Sequence, residues 1–206
     1  MNRSSALASV AAVLLVVAGS FAVVDFSAAT TRTDLQTSDS TGRLGDATLP
    51  TPGPITLHVA GDDAPTGRLE TELAAELDAR GYEVTVADSL RAEYGQPVLV
   101  VGVVDRSLRY NPVAPDGRVT WRYLLVDSGN LSRIGPAEAF DPDDFRTRLF
   151  EDDLGVFRLD EATGFVRGGT LELHVAQRGV VSAPAFRRTV TETTANRTVE
   201  VAFAPA

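Results

Sequence analysis

Residues Ile55 to Val86 read ITLHVAGDDAPTGRLETELAAELDARGYEVTV, and this stretch decides the fold class. Ile55 to Ala60 alternates apolar and polar residues with β-prone side chains, the mark of a strand. Gly61 to Pro65 reads as a loop. Thr66 is a capping residue for a helix that runs to Arg80. Leu69, Leu73 and Leu77 recur at every fourth position and, with Ala74, make one apolar face. Gly81 supplies the left-handed stop after Arg80. Tyr82, Val84 and Val86 then alternate as a second strand. A strand, a helix and a strand within so short a span predict a β-α-β unit with parallel strands.

Working outward toward the C-terminus, Asp88 to Tyr94 reads as a short helix. Val98 to Val104 (VLVVGVV) is an unbroken apolar run, expected as a central strand buried on both faces. Asn111 to Gly117 is a cluster of turn residues. Arg118 to Val126 is the next strand, forming an antiparallel hairpin with the buried one and packing Trp121 inside. Asp141 opens a helix that reaches about Asp152. Thr170 to Gln177, Phe186 to Thr194 and Thr198 to Phe203 read as strands, on the strength of their threonines and valines. Ala195 to Arg197 is the turn between the last two. The expected class is α/β or α+β. A mixed sheet opens with the β-α-β unit, antiparallel strands follow, and an N-terminal transmembrane helix precedes them.

Toward the N-terminus the character changes. Ala6 to Val24 (ALASVAAVLLVVAGSFAVV) carries no charge; Arg3 precedes it and Asp25 closes it. A helix of about 20 apolar residues crosses a bilayer core. The basic residue before the run and the acid after it orient residues 1–5 to the cytoplasm and the remainder outside. The run exceeds the usual signal-peptide core, which favours an uncleaved anchor; the alternative is removal at Ser27-Ala28-Ala29 and secretion. Residues 25–54 are rich in Thr, Ser, Asp and Pro and are expected to be a disordered stalk, stiffened by Pro50, Pro52 and Pro54. Residues 55–206 are then one extracytoplasmic globular domain.

Composition bounds the chemistry. The 206 residues carry 28 acidic and 19 basic side chains, a net charge of −9. Every basic residue is Arg; there is neither Lys nor Cys. Without Cys there are no disulfides, thiolate metal ligands, thiol nucleophiles or lipidated cysteine anchors. Without Lys there is no P-loop lysine and no Schiff base. The acidic balance argues against nucleic acid as a partner, since phosphate neutralisation by cations supplies most of that affinity. Acidity together with Arg in place of Lys resembles haloarchaeal membrane-anchored or secreted proteins, in composition and layout only. That resemblance implies folding in high salt and a surface charge that serves solubility.

Each constellation of reactive side chains has a local explanation. Gly61-Asp62-Asp63 sits between strand and helix, but its two carboxylates repel phosphate and suit a helix N-terminus. Asp141 fits an N-cap, Pro142 the first helical position, and Asp143 and Asp144 the first turn. Glu151 to Asp153 lie at the unfavourable end of that helix, and their spacing fails an EF-hand. Both histidines, His58 and His174, fall in a Leu-His-Val-Ala tetrapeptide on expected strands. If those strands paired, the two rings with Asp62 or Asp63 would make a metal site. Ser128 lacks the frame of a nucleophile elbow. Two sequons, at Asn130 and Asn196, fall in expected turns, where glycosylation requires exposure; a third, at Asn2, faces the cytoplasm. No catalytic residue, cofactor or metal is assigned. The sequence predicts a membrane-tethered domain that binds an envelope partner or serves a structural role. The alternative is a hydrolase or metal-dependent enzyme built on carboxylates with His58 or His174.

Overall fold

The computed structural model describes residues 25–43, 49–60, 64–133, 140–150 and 164–205. The apolar run 6–24 and the acidic segments Asp62-Asp63 and Glu151 to Asp153 lie outside them. Six strands and three helices follow in the order β1 (Ser27–Arg43), β2 (Pro54–Ala60), α1 (Ala64–Asp78), β3 (Glu83–Val86), β4 (Val98–Arg109), β5 (Asp116–Val126), α2 (Pro142–Phe150), β6 (Phe165–Val181) and α3 (Ala183–Ala202); a single 3-10 turn, Leu131–Arg133, precedes α2. The strands form one mixed sheet in the order β1-β6-β5-β4-β2-β3. The fold is therefore mixed α+β; the expected β-α-β unit is present as β2-α1-β3, but it does not open the sheet, since β1 precedes it.

β2 runs parallel to β3, with Ile55 opposite Val84, and parallel to β4, with His58 opposite Val100. The short connection from Arg109 to Asp116 permits only an antiparallel β4–β5 pair. β5 and β6 are antiparallel as well. Asp127 donates to the Phe165 carbonyl at one end, and Gln177 to the Pro115 carbonyl at the other. β1 lies antiparallel to β6, tied by Ser182 N–H to the Phe26 carbonyl at 2.9 Å and by Gln177 Nε2 to Thr31 Oγ1 at 2.9 Å.

By chain contacts the described residues divide into two compact units. The larger holds residues 35–106, 119–173 and 191–205. Here α1 ends in a Schellman motif. Gly81 has φ 86° and donates to the Asp78 carbonyl, and Tyr82 donates to the Leu77 carbonyl. Leu77 and Tyr82, the apolar pair that usually accompanies this motif, are both buried. β2 is buried on both faces, and its alternation sorts the two cores. Thr56 and His58 share a face with Val98 and Val100. There Leu90, Leu124, Val126, Leu131, Phe145, Leu149 and Val166 pack beneath α2. Ile55, Leu57 and Val59 occupy the opposite face, which α1 covers with Leu69, Leu73 and Leu77. Trp121 lies buried beneath α3, its Nε1–H donating to Thr198 Oγ1 at 2.7 Å.

Each sheet face of this unit holds one arginine at the end of a helix. Arg122 Nη1 donates to the Leu149 carbonyl of α2 at 3.2 Å, and Arg167 Nη1 to Ala204 just past α3 at 2.5 Å. A guanidinium there satisfies a carbonyl that has no intrahelical donor and opposes the negative end of the dipole.

The smaller unit holds residues 25–34, 107–118 and 174–190, the ends of β4 and β6, the starts of β1, β5 and α3, and the 110–115 turn. Gln177 is buried within it, donating to Thr31 and Thr189. Tyr110 Oη donates to the Val181 carbonyl at 2.8 Å, and Val181 N–H to that of Pro112 at 2.9 Å.

Four expectations are corrected. The stalk is not disordered between Ser27 and Arg43: it is β1, a 17-residue edge strand. Its side chains through Ser38 are mostly exposed, so it is held by backbone pairing to β6, which apolar content does not report. The globular fold accordingly begins before residue 55. Asp88 to Tyr94 is not helical, because its backbone groups are taken by residues 129–132. Leu131 donates to the Ala92 carbonyl and Tyr94 to that of Gly129. Phe186 to Thr194 and Thr198 to Phe203 are not strands, and Ala195 to Arg197 is no turn; all lie in or just past α3. Phe186, Val190, Thr194, Ala195, Thr198, Val199 and Ala202 are buried at helical spacing, which overrides threonine's β preference. Ser182 caps the helix through Oγ to the Ala185 N–H. Finally, α1 starts at Ala64 and not after Thr66, with Pro65 tolerated in the first turn.

Candidate functional site

The polar groups of β2 are the first place to look for chemistry, because they are buried and one of them is a histidine. Thr56 and His58 alternate with Ile55, Leu57 and Val59, so the strand's own period sends both to the α2 face. Gln96 Nε2 donates to Thr56 Oγ1 at 2.8 Å, and the Thr56 N–H donates to the Pro97 carbonyl at 2.8 Å. His58 is 8% exposed, and its Nδ1 lies 2.8 Å from the Ala87 carbonyl. A carbonyl only accepts, so Nδ1 carries the hydrogen and Nε2 is left as the acceptor in the neutral ring. The seam thus fixes the 87–97 connection against β2.

The second histidine is elsewhere. His174 is exposed on β6, and β5 and β4 stand between that strand and β2. The condition for a two-histidine metal site, pairing of the two strands, is not met. Asp62 and Asp63 lie outside the described residues. Among the described residues no three His, Asp or Glu side chains converge to hold a metal ion.

The acidic run at α2 behaves as its capping explanation requires. Asp141 Oδ1 accepts from the Asp143 N–H at 2.9 Å and from Asp144 at 3.3 Å, and Asp144 pairs with Arg148 one turn on. Ser128 is exposed, its Oγ accepting weakly from the Asn130 N–H at 3.4 Å.

The two sequons differ. Asn130 follows Gly129 (φ 63°) in the turn after β5, as expected. Its side-chain amide is engaged, Nδ2 donating to Glu93 Oε1 at 2.8 Å and Oδ1 accepting from Ser132 at 2.7 Å. Asn196 is exposed on α3, but Thr198, the third residue of its triplet, is fully buried against Trp121.

One feature of the surface is not visible to motif reading. Tyr110, Val113 and Val180 are 39%, 57% and 42% exposed at one end of the smaller unit, where the 110–115 turn meets the last residues of β6. Tyr110 and Val113 belong to one segment and Val180 to another far along the chain, so no local periodicity announces the group.

No protein-family model matches the chain, and no curated protein matches it. Among solved structures it is similar to the PelC dodecamer from Paraburkholderia phytofirmans. That likeness has 13% identity and a TM-score of 0.43, and covers 83% of this chain and 100% of that one. It is also similar to lipoprotein GNA1162 from Neisseria meningitidis, with 15% identity and a TM-score of 0.35, over 73% of this chain and 99% of that one. Likenesses this distant do not bear on function.

Proposed function

We propose that this chain is a membrane-tethered extracytoplasmic domain of a halophile that acts by binding a partner or by building structure at the cell surface. The observation that carries the reading is the uncharged run Ala6 to Val24, with Arg3 before it and Asp25 after it. The fold adds the distance. β1 begins at Ser27, two residues past Asp25, so the sheet starts almost at the end of the run. A tether so short holds the domain at the bilayer surface instead of on a stalk. Among the described residues no helix is long and apolar enough to cross a membrane, and residues 6–24 lie outside them. The histidines support binding over turnover, because His58 holds the Ala87 carbonyl through Nδ1 and His174 lies on β6, which does not pair with β2.

Protease shaving of intact cells tests the topology. In intact cells, added protease should degrade residues 55–206 while the N-terminal segment stays with the membrane. Protection of the whole domain until the cells are lysed would refute it.

A further inference from the structure

We propose that the end of the smaller unit bearing Tyr110, Val113 and Val180 docks onto an anionic lipid surface; this rests on the tethered reading above. Three observations place it there. The first is position. The Phe26 N–H donates to Ser182 Oγ at 3.0 Å, and the Ser182 N–H returns to the Phe26 carbonyl at 2.9 Å. Ser182 follows Val181, whose carbonyl accepts from Tyr110 and whose N–H reaches Pro112. The exposed apolar trio therefore lies beside the residue from which the apolar run departs, Asp25, itself paired with Arg188. Wherever residues 6–24 enter a bilayer, this end of the unit is at its surface.

The second observation is exposure. Val113 and Val180 are 57% and 42% exposed, and they are neighbours, since the Gly179 N–H donates to the Val113 carbonyl at 3.0 Å. An apolar pair with a tyrosine whose hydroxyl is already satisfied suits the boundary between headgroups and acyl chains.

The third is charge. The chain as a whole is −9, yet residues 25–34, 107–118 and 174–190 carry six arginines against three aspartates; Arg109 and Arg178 adjoin Tyr110 and Gly179 at this end, while Arg32, next to Thr33, lies far along β1. Arginines on the segment next to the tether complement anionic headgroups at direct contact, the range at which charge still acts in the high salt expected of this chain. Arginine also lays its aliphatic stem along apolar surface while its head stays in the headgroup layer.

The test uses the full chain, which has no cysteine of its own. Single variants V113C, V180C and T33C carry an environment-sensitive fluorophore. Each is reconstituted in phosphatidylcholine vesicles with and without phosphatidylglycerol, and quenched by nitroxide on the lipid chains. Thr33 is exposed on β1, about 23 Å along the strand from Phe26 at ~3.3 Å per residue, and reports the aqueous baseline. Labels at 113 and 180 should be quenched several-fold more than at 33, and more strongly with phosphatidylglycerol present. R109Q with R178Q should return quenching at 113 to the phosphatidylcholine level, and V180D should withdraw the label at 113.

Alkaline extraction separates the two readings. Chain retained by the vesicles with labels at 113 and 180 no more quenched than at 33 overturns the docking proposal and leaves the tether. Chain lost on extraction, yet with those labels quenched in neutral buffer, overturns the tether and leaves the lipid-facing end. Quenching that is equal in the two lipids removes the anionic preference. Loss of both retention and quenching overturns both.

Discussion

Thr198→Val is the substitution that most directly probes the fold. Thr198 is fully buried on α3. Its hydroxyl accepts the Trp121 Nε1–H at 2.7 Å and donates to the Thr194 carbonyl at 2.7 Å. Valine has nearly the same shape, so the change leaves little cavity. It does leave an indole N–H buried without an acceptor, because Trp121 is itself inaccessible to water. Such an orphan costs about 1–3 kcal/mol. At about 2 kcal/mol and 2–4 °C per kcal/mol for a chain of this size, Tm should fall by roughly 4–8 °C. Trp121 is the single tryptophan, so urea unfolding followed by its emission reads this contact directly. The urea midpoint should drop with little change in slope. Trp121→Phe removes the donor, and the double variant closes a cycle whose coupling should be about 1–2 kcal/mol. Additive single effects, or an unchanged midpoint in Thr198→Val, would show that the bond does not anchor α3 on the sheet.

Three further outcomes follow from the same geometry. Gly129→Ala should destabilise by about 1–3 kcal/mol in urea melts, since φ is 63° and a Cβ there would run into the Gln96 carbonyl oxygen. Burial holds the Tyr82 and Tyr94 phenols above their ordinary range, against the smaller opposing pull of Arg80 and of Arg91. The unfolded chain then binds fewer protons than the folded one above about pH 10, so stability is full below that pH and should fall as pH rises past it in pH-resolved melts. Thermal melts from dilute buffer to multimolar KCl should rise steeply, because a net charge of −9 without Lys repels itself when unscreened; a flat series would remove the halophilic reading.

What the sequence made legible is what local rules decide. The β-α-β unit was readable because its cues agree. Ile55 to Ala60 alternates, Leu69, Leu73 and Leu77 line one helix face, and Gly81 is the residue a left-handed C-cap needs. Val98 to Val104 was readable as central, although only Val98 to Gly102 is buried on both faces and Val104 is 45% exposed. Two of the failures share one cause. In β1 and in α3 the threonines pointed the wrong way, toward disorder in one and toward strand in the other. Threonine has a weak preference in each case, and the partner decides. β6 supplies backbone pairing for β1, while the apolar cores offer α3 a surface that its helical face fits, with Thr198 taken in by Trp121.

The candidate site was less legible, for a reason that also bears on what the chain does. His58 and His174 share a tetrapeptide, yet the strand order sets β5 and β4 between them, and strand order depends on long-range pairing that no tetrapeptide encodes. The acidic run at Asp141 was legible as a cap, and Asp141 is used by the backbone of α2. The surface that stands out is made the other way round. Tyr110, Val113 and Val180 come from two distant segments, and each alone is an ordinary exposed residue. They acquire meaning only because the turn at 110–115, the end of β6 and the departure point of the apolar run come together through Phe26 and Ser182. Under the tethered reading proposed above, the residues nearest the tether meet the membrane whether or not they bind it. A net positive charge and uncovered valines at that place in an otherwise acidic chain are what a lipid-facing contact requires.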